Sequence, residues 1–276
     1  MKKRLLSALC AVMLLICAVP MASAQTGDAA RRADALTVLH LLSEDPSRDL
    51  TKPATRAQAA VLLVRLAGGE KKPDTDGWFA GFRDVPDWAR PAVNYANRRG
   101  WISGVSNVQF DPNGHLNADA WCAMLLRMLG YKDEDVGGVW PDSYMAEAAL
   151  IGLTDGVSGT GNEGLTRGQA AKLFLNLLRA DQKEGGSYLA TLGETRTGQM
   201  LVSSTADGPR GAGTALQMAS GAVYSLADGK VSNGMLNGTK GTLLLSKNGN
   251  EALTFVPDSV GSSKVVVLST AKATEL

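Results

Sequence analysis

The stretch FRDVPDWARPAVNYANRRGWISGVSNVQFDPNGHLNADAWCAMLLRMLGY, residues 82–131, decides the fold. It opens on Phe82, Asp84 and Trp88, passes through a short helical run to a Gly-bearing turn at 100–104, extends through Phe110-Asp111-Pro112, and ends in a strongly apolar helix. Weaker copies of that order lie on both sides. Repeated units of this kind bury their apolar faces against one another, so the repeat sets the architecture before any other feature does.

The closing helices align best. They read TRAQAAVLLVRLAGG from Thr55, NADAWCAMLLRMLGY from Asn117 and TRGQAAKLFLNLLRA from Thr166. Each opens on a residue whose side-chain oxygen can accept a first-turn N–H. Gln58 and Gln169, three residues after their caps, predict capping boxes, whereas the middle copy has Ala120 there. Counting from the cap, positions +4, +7, +8 and +11 are apolar in every copy: Ala59, Leu62, Leu63, Leu66; Trp121, Met124, Leu125, Met128; Ala170, Leu173, Phe174, Leu177. That spacing places them on one helical face. Position +5 is small each time (Ala60, Cys122, Ala171), which predicts three equivalent helices packed closely around a shared core.

The upstream halves align less well. Gly100-Trp101-Ile102-Ser103-Gly104 matches Gly152-Leu153-Thr154-Asp155-Gly156, and the first copy reads His40-Leu41-Leu42-Ser43-Glu44. The distance onward to the cap varies (40 to 55, 100 to 117, 152 to 166), as surface loops between fixed elements do.

These residues resemble the S-layer homology family. Its pattern is an F-x-D-V opening, a downstream Trp, a glycine turn, an F-x-P segment and an I-T-R-A-E helix start. The chain offers Phe82-Arg83-Asp84-Val85, Trp88, Gly100 to Gly104, Phe110-Asp111-Pro112, Thr55-Arg56-Ala57-Gln58 and Thr166-Arg167-Gly168-Gln169. The resemblance covers roughly residues 30–182 and rests on the pieces recurring in order. It implies a mostly helical, pseudo-threefold domain that binds a secondary polysaccharide of the bacterial cell wall, often one carrying a pyruvate ketal. It implies ligand-binding roles for Arg56, Arg167, Asp84, Trp88 and Gly104. Its physical logic is independent of the resemblance: a planar guanidinium presents forked donors to a carboxylate, and a helix start adds positive potential. The middle unit departs from the pattern with Ala118 where Arg stands in the other two, and Asp119 beside it would repel an anion. The first unit lacks the F-x-D opening, and the third keeps only Trp140-Pro141-Asp142.

Residues 1–24 read as a secretory signal: Lys2, Lys3 and Arg4, an apolar run over 5–19, and Ala22-Ser23-Ala24 for cleavage. Cys10 and Cys17 follow Leu9 and Ile16, not the small residue a lipoprotein signal needs. The mature chain then has Cys122 alone, with no partner for an intramolecular disulfide, and its place on a packed helix marks a buried thiol. Loss of the three signal cations takes the formal net charge from +1 to −2. That balance gives no general attraction to nucleic acid or an anionic membrane.

Within 26–50 a first helix is expected, with Ala33, Leu36, Val38, Leu39 and Leu42 inward. Asp111-Pro112-Asn113-Gly114-His115 starts like a calcium loop, but His115, Leu116 and Cys122 fall where the fifth, sixth and twelfth loop residues must be Asp or Asn, Gly and Glu. After Ala180 the composition turns rich in Gly, Ser and Thr. Short β-prone runs appear at 200–202, 222–226, 241–246, 252–256 and 264–269, with Lys247-Asn248-Gly249-Asn250 and Ala227-Asp228-Gly229-Lys230 as hairpin signals. This region has no His or Cys, so it holds no Cys/His or Ser/His centre. His40 and His115 stand outside any metal pattern.

The fold expected is therefore α+β and multidomain: a signal (1–24), a mostly α-helical pseudo-threefold domain over 25–182 with units at about 30–69, 82–131 and 140–180, and a small β-rich region over 183–276. The function expected is that of a non-catalytic secreted cell-envelope protein attached to the wall polysaccharide, with no cofactor, no nucleic acid and no transmembrane helix once the signal is cleaved. Two readings stay open beside it: a diverged module that binds a protein partner at the cell surface, and a wall-active enzyme with the tail as catalytic domain.

Overall fold

The computed structural model describes residues 50–68, 78–158, 164–228, 230 and 236–258. The expected signal sequence, the helix expected upstream of residue 50 and the strand expected over 264–269 lie outside them. Among the described residues seven helices come first: α1 (Arg56–Leu66), α2 (Arg90–Arg98), α3 (Ala118–Met128), α4 (Asp133–Val136), α5 (Asp142–Leu150), α6 (Arg167–Arg179) and α7 (Tyr188–Leu192). Five strands follow: β1 (Glu194–Gly208), β2 (Gly211–Met218), β3 (Val223–Ser225), β4 (Thr239–Leu245) and β5 (Ala252–Pro257). The chain is α+β, with the helices and the antiparallel sheet segregated along the sequence.

The helix starts follow the sequence. Thr55 and Thr166 cap α1 and α6 in full capping boxes with Gln58 and Gln169. Asn117 accepts from the Ala120 N–H at 3.0 Å, and no box forms. The apolar positions counted from the caps are buried, apart from Leu62, which is half-buried. The Trp121 and Phe174 rings meet edge to face, 5.6 Å apart.

The segments leading into α1, α3 and α6 meet one another. Thr55 bridges His115, and Pro53 bridges Thr166. The Arg56 N–H donates to the Gly114 carbonyl (2.9 Å), the Arg167 N–H to the Lys52 carbonyl (2.8 Å) and the Leu165 N–H to the Leu116 carbonyl (2.8 Å). Each segment thus bonds the other two, and first-turn donors with no intrahelical acceptor find one in the neighbouring segment. This junction gathers three helix starts at one place. From it α1 packs on α2, α3 on α5, and α6 on α7.

α6 departs from a one-faced helix. Every residue from Ala170 to Leu178 is buried, Lys172 and Asn176 included. The reason is the sheet: Leu244 and Val256 join the helical core, and Arg179 Nε donates to the Pro257 carbonyl at 2.8 Å. α6 is covered by helices on one side and by β5 on the other.

The strand order is β3-β2-β1-β4-β5. Leu226, just after β3, meets Ala252 of β5 in a parallel bridge, and the Ala227 N–H donates to the Ala252 carbonyl at 2.8 Å. The sheet therefore curls until its two edges touch, as in a small, partly open five-stranded barrel. Its inside is Leu201, Leu216, Met218, Leu226, Leu236, Leu243, Leu245, Ala252 and Phe255. Alternation along β4 and β5 sends Leu244 and Val256 outward to the helices. The Lys247–Asn250 turn joins the paired β4 and β5 as expected. The second hairpin signal does not join paired strands, because β3 pairs with β2 and β4 with β1.

Candidate functional site

An open cleft of about 180 Å³ lies where α1, the 102–104 turn, α3 and Trp140 meet. Its apolar wall is Ile102, Phe110, Leu116, Ala120, Ala123 and Met124, and its cations are Arg56 and Arg127. Arg56 is the first residue of α1, so the capping box and the junction fix its backbone. Its side chain reaches across to the stretch between α2 and α3. Nε donates to the Phe110 carbonyl and Nη2 to the Ser103 carbonyl, both at 2.8 Å, and the guanidinium lies over the Phe110 ring at 4.8 Å. Burial pulls Arg56 below its ordinary range, and the Asp111 and Asp84 carboxylates oppose that pull. An arginine stays charged through such a shift. Two of its five N–H groups are thus held by described carbonyls while the group borders open space.

Gly104 forms part of the same wall. It is glycine for a packing reason: a Cβ there would press on the Phe82 ring and sit 2.5 Å from the Gln109 oxygen and 2.6 Å from that of Ser106. Asp84 does not line the cleft. It accepts the Phe110 N–H at 2.9 Å and the Asp111 N–H at 2.8 Å, and so holds the segment whose carbonyl anchors Arg56. Burial pushes the Asp84 carboxyl up, but the backbone N–H bonds from Phe110 and Asp111 outweigh it and leave the group below its usual range. Asp111 turns the chain there at φ 58, a conformation Asp tolerates better than most residues.

Trp88 and Arg167 stand apart from this cleft. Trp88 is 62% exposed, just before the Ala89 cap of α2. Arg167 opens α6, and its Nη2 donates to Gln58 Oε1 on α1 at 3.3 Å. Gln58 is the α1 counterpart of Ala120, counted from the caps, and Ala120 lines the cleft that Arg56 borders. The expected site residues thus divide: Arg56 and Gly104 share one cleft, Asp84 braces it, and Trp88 and Arg167 lie outside it.

The site also holds two residues outside the expected set, Trp140, noted above only as what the third copy keeps of the opening, and Arg127. Trp140 precedes the cap of α5 as Trp88 precedes that of α2, and each stands the same distance ahead of its glycine turn. That spacing was the available signal. Trp140 packs edge to face on Tyr144, with centroids 5.1 Å apart, and remains 52% exposed. Arg127, in the last turn of α3, donates to Asp133 Oδ1 from Nε (3.3 Å) and Nη2 (3.0 Å) and lies over the Tyr144 ring. The Tyr144 hydroxyl bond, ahead of Arg127, holds the Asp133 carboxyl below its usual range. No spacing rule links Arg127 to the cleft, because the contact depends on how α3 and α5 pack. Cys122 is fully buried beside Asp119, and burial first, then that carboxylate, pushes its thiol up to about 12.

Residues 82–117 match the family model of the S-layer homology domain. A "Cell surface protein" of Thermoanaerobacter kivui is 35% identical to it over 133 residues, 47% of this chain and 17% of that protein. A "Middle cell wall protein" of Brevibacillus brevis is 32% identical over 135 residues, 48% of this chain and 13% of that protein. An "Amylopullulanase" of Thermoanaerobacterium thermosulfurigenes is 32% identical over 62 residues, 22% of this chain and 3% of that protein. The matched parts are small fractions of these relatives' lengths. The S-layer homology match spans the braced half of the cleft: Asp84, the 102–104 turn, Phe110 and the cap of α3. Among the described residues no helix is long and apolar enough to cross a membrane.

Proposed function

We propose that the three helical units form one pseudo-threefold module, and that this module holds the chain to an acidic secondary polysaccharide of the cell wall. The observation that carries this reading is the cleft itself: a charged guanidinium at a helix start and an exposed indole face one open, partly apolar space. A carboxylate on the sugar, such as a pyruvate ketal, takes the outward N–H groups of Arg56, and the ring's apolar face lies on Trp140. The cell-surface and cell-wall names of two relatives agree with this assignment. The role is anchorage without turnover, and the barrel is carried along on α6 for display or for contact with a partner.

A protein-binding module is the second reading, favoured by Ala118 in place of a third helix-start arginine. Both are tested by mixing the purified mature chain with bare cell-wall sacculi, before and after chemical removal of the secondary polymer. Retention that disappears with the polymer is expected. Protein that stays in the supernatant in both cases, together with capture of a surface protein, selects the second reading.

A further inference from the structure

The third unit repeats the cleft geometry of the second but fills it from within. The turn at 152–156 is built as the turn at 100–104 is: the Trp101 N–H donates to the Ala96 carbonyl and the Leu153 N–H to the Ala148 carbonyl, one after α2 and one after α5. Asp155 thereby corresponds to Ser103, whose carbonyl Arg56 holds. The helix start that would supply the matching arginine carries Ala118 instead. A carbonyl left without that donor would be costly in a half-buried setting.

The donors come from α6. Asn176 Nδ2 donates to the Asp155 carbonyl at 2.9 Å and to the Leu153 carbonyl at 2.8 Å, and Asn176 is 6% exposed. Gln169 Nε2 donates to the Ser158 carbonyl. Lys172, 7% exposed, lays its stem along the turn, with Cε 3.2 Å from where a Cβ on Gly156 would sit. Counted from the caps, the α3 counterparts of Gln169 and Lys172 are Ala120 and Ala123, two residues that line the open cleft. Where α3 is small and leaves room, α6 is long and polar and occupies it.

We infer that the third cleft is closed by its own helix. Asn176 does the turn-holding that Arg56 does between units, Lys172 fills the ligand space, and acid-sugar capture falls to the positions headed by Arg56 and Arg167. This rests on the polysaccharide reading for its ligand, but the closure itself does not.

Two variants of the mature chain test it. Lys172→Met keeps the stem and removes the charge. Its retention on bare sacculi is expected within about twofold of the unaltered chain, measured well below the melting transition. A loss of tenfold or more makes Lys172 a ligand contact and overturns the closure. Asn176→Leu keeps the bulk and removes both donors. Its Tm is expected to fall by roughly 4–8 °C with retention unchanged, from two buried hydrogen bonds in a chain of this size. An unchanged Tm overturns the turn-holding role. If the unaltered chain is not retained on sacculi at all, the polysaccharide reading fails alone, and the Tm of Asn176→Leu still decides the closure.

Discussion

Replacing Arg56 by Lys separates charge from shape. Lysine keeps the cation but loses the planar fork. In the structure that fork spans two carbonyls, Phe110 and Ser103, each at 2.8 Å, while its face covers the Phe110 ring at 4.8 Å. Hydrogen bonds to a charged group contribute about 1.5–3 kcal/mol each, and an exposed cation–π contact about 0.5–1 kcal/mol. The Ser103 bond is exposed, so it counts at the low end. An ammonium holds one of the two carbonyls and loses the stacking. The expected stability loss is roughly 1.5–2.5 kcal/mol, a Tm lower by about 3–10 °C. A carboxylate ligand loses its bidentate match as well, and a cost of about 1.4–2.8 kcal/mol weakens binding roughly 10- to 100-fold. Circular dichroism melts and binding isotherms on bare sacculi at 20 °C read the two effects separately. Wild-type Tm and affinity in Arg56→Lys would refute the geometric argument, and a lowered Tm with unchanged affinity would reduce Arg56 to a structural strut.

Three further outcomes follow from the same contacts. Asp84 has a folded pKa below its unfolded value, so its stabilisation is complete above about pH 4 and is lost as pH falls through the lower folded value; Asp84→Asn lowers Tm at pH 7, and its Tm falls less than the unaltered chain's on going from pH 5 to pH 2, which matching pH–Tm curves would contradict. Trp140→Ala reduces sacculus retention about tenfold and moves Tm by only a few degrees, since the ring is half exposed; full retention removes the indole from the site. Cys122, its thiol pushed up to about 12, reacts with a thiol reagent at pH 8 only at the rate of unfolding, and fast stoichiometric labelling of the native chain would show the burial to be wrong.

The helices were legible because caps and apolar spacing are local. Thr55 with Gln58 and Thr166 with Gln169 need only three residues to state a helix start, and both boxes form. The strands over 241–246 and 252–256 announced themselves through apolar runs around an Asn-Gly turn. β1 showed itself only at 200–202 and β2 not at all, because Ser, Thr, Gly and Ala dominate them and few large apolar side chains, Leu201, Leu216 and Met218, join the barrel core. Burial all round α6 was out of reach for a different reason: the residues that cover its far side, Leu244 and Val256, come from strands more than sixty residues downstream. The cleft was half legible. Arg56 and Gly104 stood out by type and place, whereas Arg127 enters through tertiary packing alone.

That difference explains why no single unit carries a full set of site residues. Arg56 comes from the start of α1, Ser103, Gly104 and Phe110 from the stretch between α2 and α3, and Trp140 from just before α5, yet they border one space. A site assembled across units asks each unit for a different part. The F-x-D opening missing from the first copy does not bear on this cleft, because Asp84 does the bracing here. The second can carry Ala118, because the turn its arginine would have held is already held by Asn176. The gap at Ala118, which looks like decay when that stretch is read alone, falls where Asn176 of α6 supplies the missing contact.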